Sequence, residues 1–317
     1  MEPTRPMIKP GVRRVWRGPD TLQLGVDVPM PLVLRPVGPA IESVLGVLDG
    51  RRTRDEVLAH AEEVGLGARP TQALLDRLAA CGLLADGAAP DPDWAGLPVS
   101  VRDRVAPDRT AWALADPRPD AAARHITARR RLTVVLTTGD PLTRGLAEGL
   151  AAAEVGAVGT MSDPCRAAPG TGSRLLVVPS SLARVRRQQL LASATPHLVT
   201  DVGETVVRLG PLVAPGRSAC FGCLEHGRVD RDRGWGHVSA QLTNRPGTAR
   251  PEALLRAAAA LAVVHLLDWA ADGHPPEVNG LVELRLPHAQ AVRRSCPPHP
   301  ACGCTWPPTP GHVTMSG

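Results

Sequence analysis

Tyrosine is absent from this 317-residue chain, phenylalanine occurs once (Phe221) and lysine once (Lys9). Its core must therefore be packed from Leu, Val and Ala, and its positive charge is almost wholly arginine. Residues 1–88 also lack an excess of positive charge, holding eleven basic and eleven acidic side chains. A nucleic-acid reader needs a basic patch, so the overall charge of +5 does not make this segment one. No N-terminal signal pattern is present, and no apolar run reads as long enough to cross a bilayer. Ala257–Leu267 comes closest and is bounded by Arg256 and Asp268. Neither an H-E-x-x-H nor a Ser/His/Asp order with a nucleophile elbow occurs. The expectation is a cytoplasmic protein that binds neither nucleic acid nor membrane.

Three zones follow from pattern. In residues 1–88, Val12–Arg17, Thr21–Val26 and Leu32–Arg35 are short apolar alternations broken by Gly-Pro-Asp and by Pro29 and Pro31, the mark of short strands. Three helical periods follow. Pro39–Leu48 aligns Ile41, Val44, Leu45 and Leu48. Thr53–Val64 opens with Thr53 and Glu56 in capping-box spacing. Thr71–Leu83 aligns Leu74, Leu75, Leu78 and Leu83. The order β-β-β-α-α-α predicts a compact winged-helix-like module. Residues 89–130, rich in Pro, Asp, Arg and Ala, show no sustained period and read as a linker with at most one short helix. Residues 131–317 alternate strands (Leu132–Leu136, Leu175–Val178, His197–Thr200, Thr205–Arg208, Val282–Leu286) with helices (Pro141 to about Val155, Pro251–Ala271). That alternation predicts an α/β domain on a parallel sheet.

Cysteine spacing carries the strongest chemical signal. Cys220-Phe-Gly-Cys223 is a C-x-x-C, and Cys296-Pro-Pro-His-Pro-Ala-Cys302-Gly-Cys304 stands near the C-terminus. Tetrahedral zinc takes four thiolate or imidazole ligands, and closely spaced pairs on tight turns supply two each. Unmetallated thiols are the bland alternative. A thioredoxin-like redox pair fits less well, because Cys220-Cys223 is not expected to open a helix after a first strand. Cys81 reads as a buried core thiol, and Cys165 stands alone.

A second signal is what the first α/β turn does not contain. A phosphate cradle needs several glycines between strand and helix, but Thr137-Thr138-Gly139-Asp140-Pro141-Leu142 offers only Gly139. Asp140-Pro141 reads as a helix N-cap and first turn, with a carboxylate where a phosphate would sit. The second strand ends Val178-Pro179-Ser180, with no acid for a ribose or a metal. Glu225–His237, with His226, Trp235 and His237, reads as a solvated loop.

Pro211-Leu-Val-Ala-Pro-Gly-Arg-Ser-Ala-Cys220-Phe-Gly-Cys223-Leu-Glu resembles the crossover region of ThiF-type proteins, and Pro298-His-Pro-Ala-Cys302-Gly-Cys304 resembles the C-terminal zinc half of their azoline-peptide branch. Ile8-Lys-Pro-Gly-Val-Arg-Arg-Val-Trp16 through Leu84 is similar to the PqqD-like leader-recognition winged helix of that branch. Together these resemble the TOMM (thiazole/oxazole-modified microcin) precursor leader peptide-binding proteins. The resemblance implies a PqqD-like module joined to a degenerate ThiF-type, Rossmann-like domain. It implies a non-catalytic partner that holds a precursor's leader while a separate YcaO-type cyclodehydratase consumes ATP, and it admits a homodimer. It maps structural zinc onto Cys220, Cys223, Cys302 and Cys304, leaving Cys296 or His299 as a replacement for one of them because Cys302-Gly-Cys304 is a tighter C-x-C. No ATP site is expected.

From the residues, an added leader strand would pair along Leu32, Val33, Leu34 and Arg35, with Gln72, Asp76 and Arg77 of the last helix beside it. An ATP-dependent adenylyltransferase acting on a peptide carboxylate is the competing enzyme reading. A transcription regulator is the third, and it fails on charge, since Thr71–Leu83 carries only Arg77, next to Asp76.

Overall fold

Alternation sets the first layer of the N-terminal unit. A computed structural model describes residues 3–163, 173–244 and 251–304 of the chain, which divides into two compact units, Met1–Thr127 and Ala128–Gly317. In the first, β1 (Pro6–Ile8) pairs antiparallel with a distant β5 (Leu84–Asp86). Between them β2 (Arg14–Gly18), β3 (Thr21–Leu24) and β4 (Leu32–Leu34) form an antiparallel sheet in the order β2-β3-β4. The pairs Leu22–Leu34 and Leu24–Leu32 share the buried face, and Gln23–Val33 share the other, as a period of two requires.

Three helices cover the buried face: α1 (Pro39–Gly46), α2 (Arg54–Glu63) and α3 (Ala68–Ala80). α2 starts at the expected capping box, with Thr53 Oγ1 accepting from the Glu56 N–H and Glu56 accepting from the Thr53 N–H. Val44, Leu45, Val57, Ala61, Leu74, Leu75 and Leu78 meet the strand leucines in a core drawn entirely from residues between Ile8 and Leu84. Each fully buried leucine there is worth about 2 kcal/mol of transfer free energy. Cys81 is not deep in this core. It is the half-buried cap residue at the end of α3 and packs against the core from outside.

The expected β-β-β-α-α-α order is thus framed by β1 and β5, each too short for alternation to show. The segment read as a linker holds α4 (Pro92–Ala95), α5 (Val99–Ala115) and α6 (Ala121–Arg131), and the first unit runs on to Thr127. α5 carries Pro107 in its interior and buries only Val105 and Ala113, so it presents no apolar stripe to read. Lys9 is tied to this segment: it is 2% exposed, and its Nζ donates to the Asp116 carbonyl at 2.5 Å. Burial lowers the Lys9 pKa to about 8 against the opposing pull of the Asp116 and Asp120 carboxylates.

In the second unit a seven-stranded sheet has the order β12-β11-β10-β9-β8-β6-β7. β6 (Leu132–Thr137), β7 (Ala157–Met161), β8 (Ser173–Pro179) and β9 (His197–Val202) are parallel. β10 (Val206–Val213), β11 (Gly280–Arg285) and β12 (Gln290–Ser295) continue the sheet antiparallel. The sheet is therefore mixed, not purely parallel. The turn from Val202 to Val206 is too short for a crossover, so it forces a hairpin. α7 (Thr143–Ala152) follows β6, and α8 (Arg184–Ala192) follows β8. The expected loop Glu225–His237 is mostly helical, spanning the end of α9 (Phe221–Arg231) and the start of α10 (Trp235–Asn244).

The last helix is α11 (Glu252–Ala270). At 19 residues it is long and apolar enough by length and composition to cross a membrane, contrary to the sequence expectation. Here it packs on α7, β10 and β11, burying Leu254, Leu255, Ala258, Ala259, Ala262, Val263, Leu266 and Leu267. α7 approaches it through Gly145 and Gly149, where an added Cβ would lie 2.8 Å from Ala259 and 2.9 Å from Val263.

Candidate metal centre and peptide-binding edge

Four cysteines separated by up to 84 positions converge at the start of α9. β10 leads into a turn held by Ser218, whose hydroxyl accepts from the Ala214 N–H at 2.8 Å and donates to the Leu212 carbonyl at 3.2 Å. Asn279 Oδ1 accepts from the Ala219 N–H at 2.8 Å. The turn delivers Cys220 as the N-cap of α9, its sulfur accepting from the Gly222 N–H at 3.2 Å. The C-x-x-C opens a helix, but one placed after β10 and not after a first strand, as the sequence reading expected.

Cys302 and Cys304 come from the other direction on a tight turn, in which Gly303 takes a φ of +71°. Cys220 Sγ lies 3.5 Å from Cys302 Sγ, and Cys223 Sγ lies 3.3 Å from Cys304 Sγ. All four sulfurs fall within 4.8 Å of one another. A disulfide needs about 2.0 Å, and the edge of a tetrahedron with metal–sulfur bonds of about 2.3 Å is roughly 3.8 Å. The spacing is that of ligands around one ion. Gly222 is required inside this cage, since a Cβ there would stand 2.8 Å from Cys302 Sγ.

Charge gives the same answer. The Cys223 thiol is pushed up by burial but ends below its ordinary value, because the His299 N–H at 3.3 Å and the neighbouring thiols favour its thiolate. Burial and the sulfurs of Cys220 and Cys223 then push Cys302 up to about 12, and Cys304 higher still. Four thiolates this close cannot coexist without a cation among them, so these four cysteines could hold a metal ion. His299 is not positioned to replace one: its Nε2 pairs with Asp230 Oδ2 at 2.8 Å, and its Nδ1 accepts from the Ala301 N–H at 3.1 Å. Its ring stacks on His226 at 4.9 Å. Cys296 is buried outside the group of four, and burial pushes its thiol up to about 11. Cys165 lies outside the described residues. Trp235 packs within its own unit, donating to Glu225 at 3.1 Å beneath the Arg228 guanidinium.

At the end of β6, Gly139 takes a φ of +85° with open space around it. Asp140 and Pro141 do not begin the helix, as the spacing predicted. α7 starts at Thr143 with Leu142 as its cap. Asp140 is nonetheless fixed across the turn: one carboxylate oxygen accepts from the Leu142 N–H at 2.8 Å, and the other accepts from the Thr200 hydroxyl. A cavity of about 460 Å³ lies against this turn and the start of α11, with Arg256 ion-paired to Glu148 and Glu252 beside it. The strand paired to the outer side of β6 is β7, which the sequence reading passed over. It ends two residues before Asp163, so an acid does follow the second strand, and it is ion-paired with Arg186 at 2.9 Å.

Among the described residues of the first unit β4 pairs only with β3 and forms one edge of its sheet. Leu32 and Leu34 point into the core, and Val33 is 37% exposed. Arg77 of α3 donates to the Val33 carbonyl at 3.1 Å, which brings the helix alongside the strand edge. Gln72 donates to Asp76 at 2.7 Å, and Arg35 reaches Asp20 at 3.4 Å. Of the strand and helix residues expected to act together, the Arg77–Val33 hydrogen bond joins one pair, while Gln72 and Asp76 bond each other and Arg35 turns to Asp20.

No family model and no curated protein matches the sequence. Solved structures do. The heterocyclase TruD is 17% identical with a TM-score of 0.64 over 96% of this chain. A heterocyclase in complex with substrate and cofactor is 19% identical with a TM-score of 0.62 over 95% of it. The chain spans 43% and 39% of those two proteins, respectively. Escherichia coli MccB is 12% identical with a TM-score of 0.67, with 95% of this chain and 98% of MccB covered. MccB has also been solved with ATP and with MccA. At these identities the likeness is one of fold.

Proposed function

We propose that this chain is a non-catalytic accessory of ribosomal-peptide modification in the cytoplasm, holding a precursor's leader segment for a separate YcaO-type, ATP-dependent cyclodehydratase. The single observation that carries this reading is the open edge of β4 with α3 beside it, in a chain whose whole length shares the fold of a heterocyclase and of MccB. Residues 1–88 are the leader-recognition part, similar to PqqD. Residues 89–130 join it to a ThiF-like domain, in which Cys220, Cys223, Cys302 and Cys304 hold structural zinc. An extended leader adds as a strand to β4, where backbone pairing supplies affinity and α3 reads its side chains. Ordering a flexible peptide costs conformational entropy, so a dissociation constant on the order of micromolar is expected.

Anisotropy of a fluorescent synthetic leader titrated with the full-length chain tests this. Val33→Pro removes an edge N–H, and Arg77→Glu puts a carboxylate beside the Val33 carbonyl. The proline variant is expected to weaken binding at least tenfold with the circular dichroism spectrum preserved, and the glutamate variant to weaken it several-fold. Unchanged affinity in both would remove β4 as the site.

The adenylyltransferase reading rests on the cavity at the end of β6 and on Asp163. Against it, Asp140 holds a carboxylate where a phosphate would bind. Calorimetry with millimolar ATP is expected to show no binding. A micromolar affinity, or pyrophosphate exchange with a precursor peptide, would put the enzyme reading first.

A further inference from the structure

The guanidinium of Arg187 on α8 has no hydrogen bond or ion pair among the described residues, and its Nε is buried without a partner. Its guanidinium carbon sits 3.9 Å from the ring centroid of Phe221, the first residue of α9 and the neighbour of Cys220. This is an unfavourable place for a bare cation. The N-terminus of α9 is the positive end of the helix, and partial burial strips water from the guanidinium. Burial does lower the Arg187 pKa, with Glu225 and Cys220 pulling the other way. Glu225 is already committed: it accepts from Arg228 at 2.9 Å, from Trp235 at 3.1 Å and from Ser239 at 3.2 Å. Beside Glu225, the second source of negative charge acting on Arg187 is the cysteine cluster at Cys220, since four thiolates around a divalent ion carry a net charge of −2.

We propose that Arg187 is the counter-charge of the four-cysteine centre, held over Phe221 so that its cation offsets the excess negative charge of the metal-bound thiolates. This rests on the metal reading given above. Arg187 acts through the thiolates and does not ligate, so it is a positioning residue. It also explains why a guanidinium stands here: Phe221 supplies a flat face to stack on, which an ammonium group uses less well.

The test measures zinc affinity of the full-length chain by competition with a chromophoric chelator. Removing a supporting group outside the ligand shell costs about tenfold to a hundredfold in metal affinity, and Arg187→Met is expected to fall in that range. Arg187→Lys is expected to recover most of the loss. With cobalt in place of zinc, Arg187→Met should keep the absorption bands of a tetrahedral four-thiolate site, since the ligands are intact, while Cys220→Ser should lose them. If Arg187→Met does not fold, Arg187→Gln is compared with Arg187→Lys, and equal affinities for those two overturn the proposal. So does parental affinity in Arg187→Met. A parent chain that binds no zinc overturns the metal reading and this one with it, whereas a zinc-binding parent with an indifferent Arg187 overturns this one alone.

Discussion

A chain carrying Cys220→Ser and Cys223→Ser together is expected to purify without metal and to melt well below the parent protein. Two of four ligands are lost, and two serine hydroxyls cannot replace thiolates for a zinc-like ion. The remaining pair, Cys302 and Cys304, sits on a nine-residue run from Cys296 in which only Cys296 is well buried. Without the ion that run has no covalent tie to α9, and closing a loop of this length by hydrogen bonds alone is entropically weak. Structural zinc contributes about 10–16 kcal/mol to folding in small zinc-finger peptides. In a unit with its own sheet the loss should be smaller, at several kcal/mol. Elemental analysis should give one metal per parent chain and none in the variant, and hydrogen exchange should rise first at Cys296–Cys304 and the start of α9. A fully metallated variant, or one melting within about 2 °C of the parent, would refute the centre. A strong chelator should reproduce the variant's behaviour in the parent chain.

Gly156→Ala is expected to cost on the order of 3 kcal/mol or more. Gly156 enters β7 from the end of α7, with its N–H donating to the Arg129 carbonyl at 2.9 Å. A Cβ at this position would fall 1.8 Å from the Arg130 carbonyl oxygen and 2.7 Å from its carbon. The obstruction is backbone, so no side-chain rotation relieves it, and the start of the β6–β7 pairing must move. Urea denaturation should show the loss as a lower midpoint at an unchanged slope. A midpoint equal to the parent's would mean that β7 is not anchored as described.

What could be read from the residues depended on burial. Residues 134–136, 175–178 and 198–199, at the centres of β6, β8 and β9, are buried in mid-sheet, so their apolar runs announced strands. β7 and β12 are the two edges, and neither has a uniform apolar face: Ala157–Met161 is largely exposed, and Gln290–Ser295 is nearly all exposed and carries Arg293 and Arg294. Missing β7 also misplaced the second strand and hid Asp163. The close spacing of the cysteines told which residues could share an ion, because ligand pairs on tight turns are local. Which of Cys296, His299 and the four others would converge depended on long-range packing, which spacing does not encode. Arg187 gave no sequence signal at all, being one arginine of three in Arg184-Val-Arg-Arg187. The helices between residues 90 and 131 were hard to read because α5 buries so little of its surface.

Lys9, 2% exposed and bonded to the Asp116 carbonyl, has a practical consequence for handling this protein. It is the chain's one lysine, so the folded molecule presents no side-chain amine to solvent. Amine-directed dyes, crosslinkers and resins should therefore find no reactive side chain on the folded chain. Trypsin digests will report arginine sites throughout, and reactivity appearing at Lys9 would serve as a direct signal that the N-terminal unit has opened.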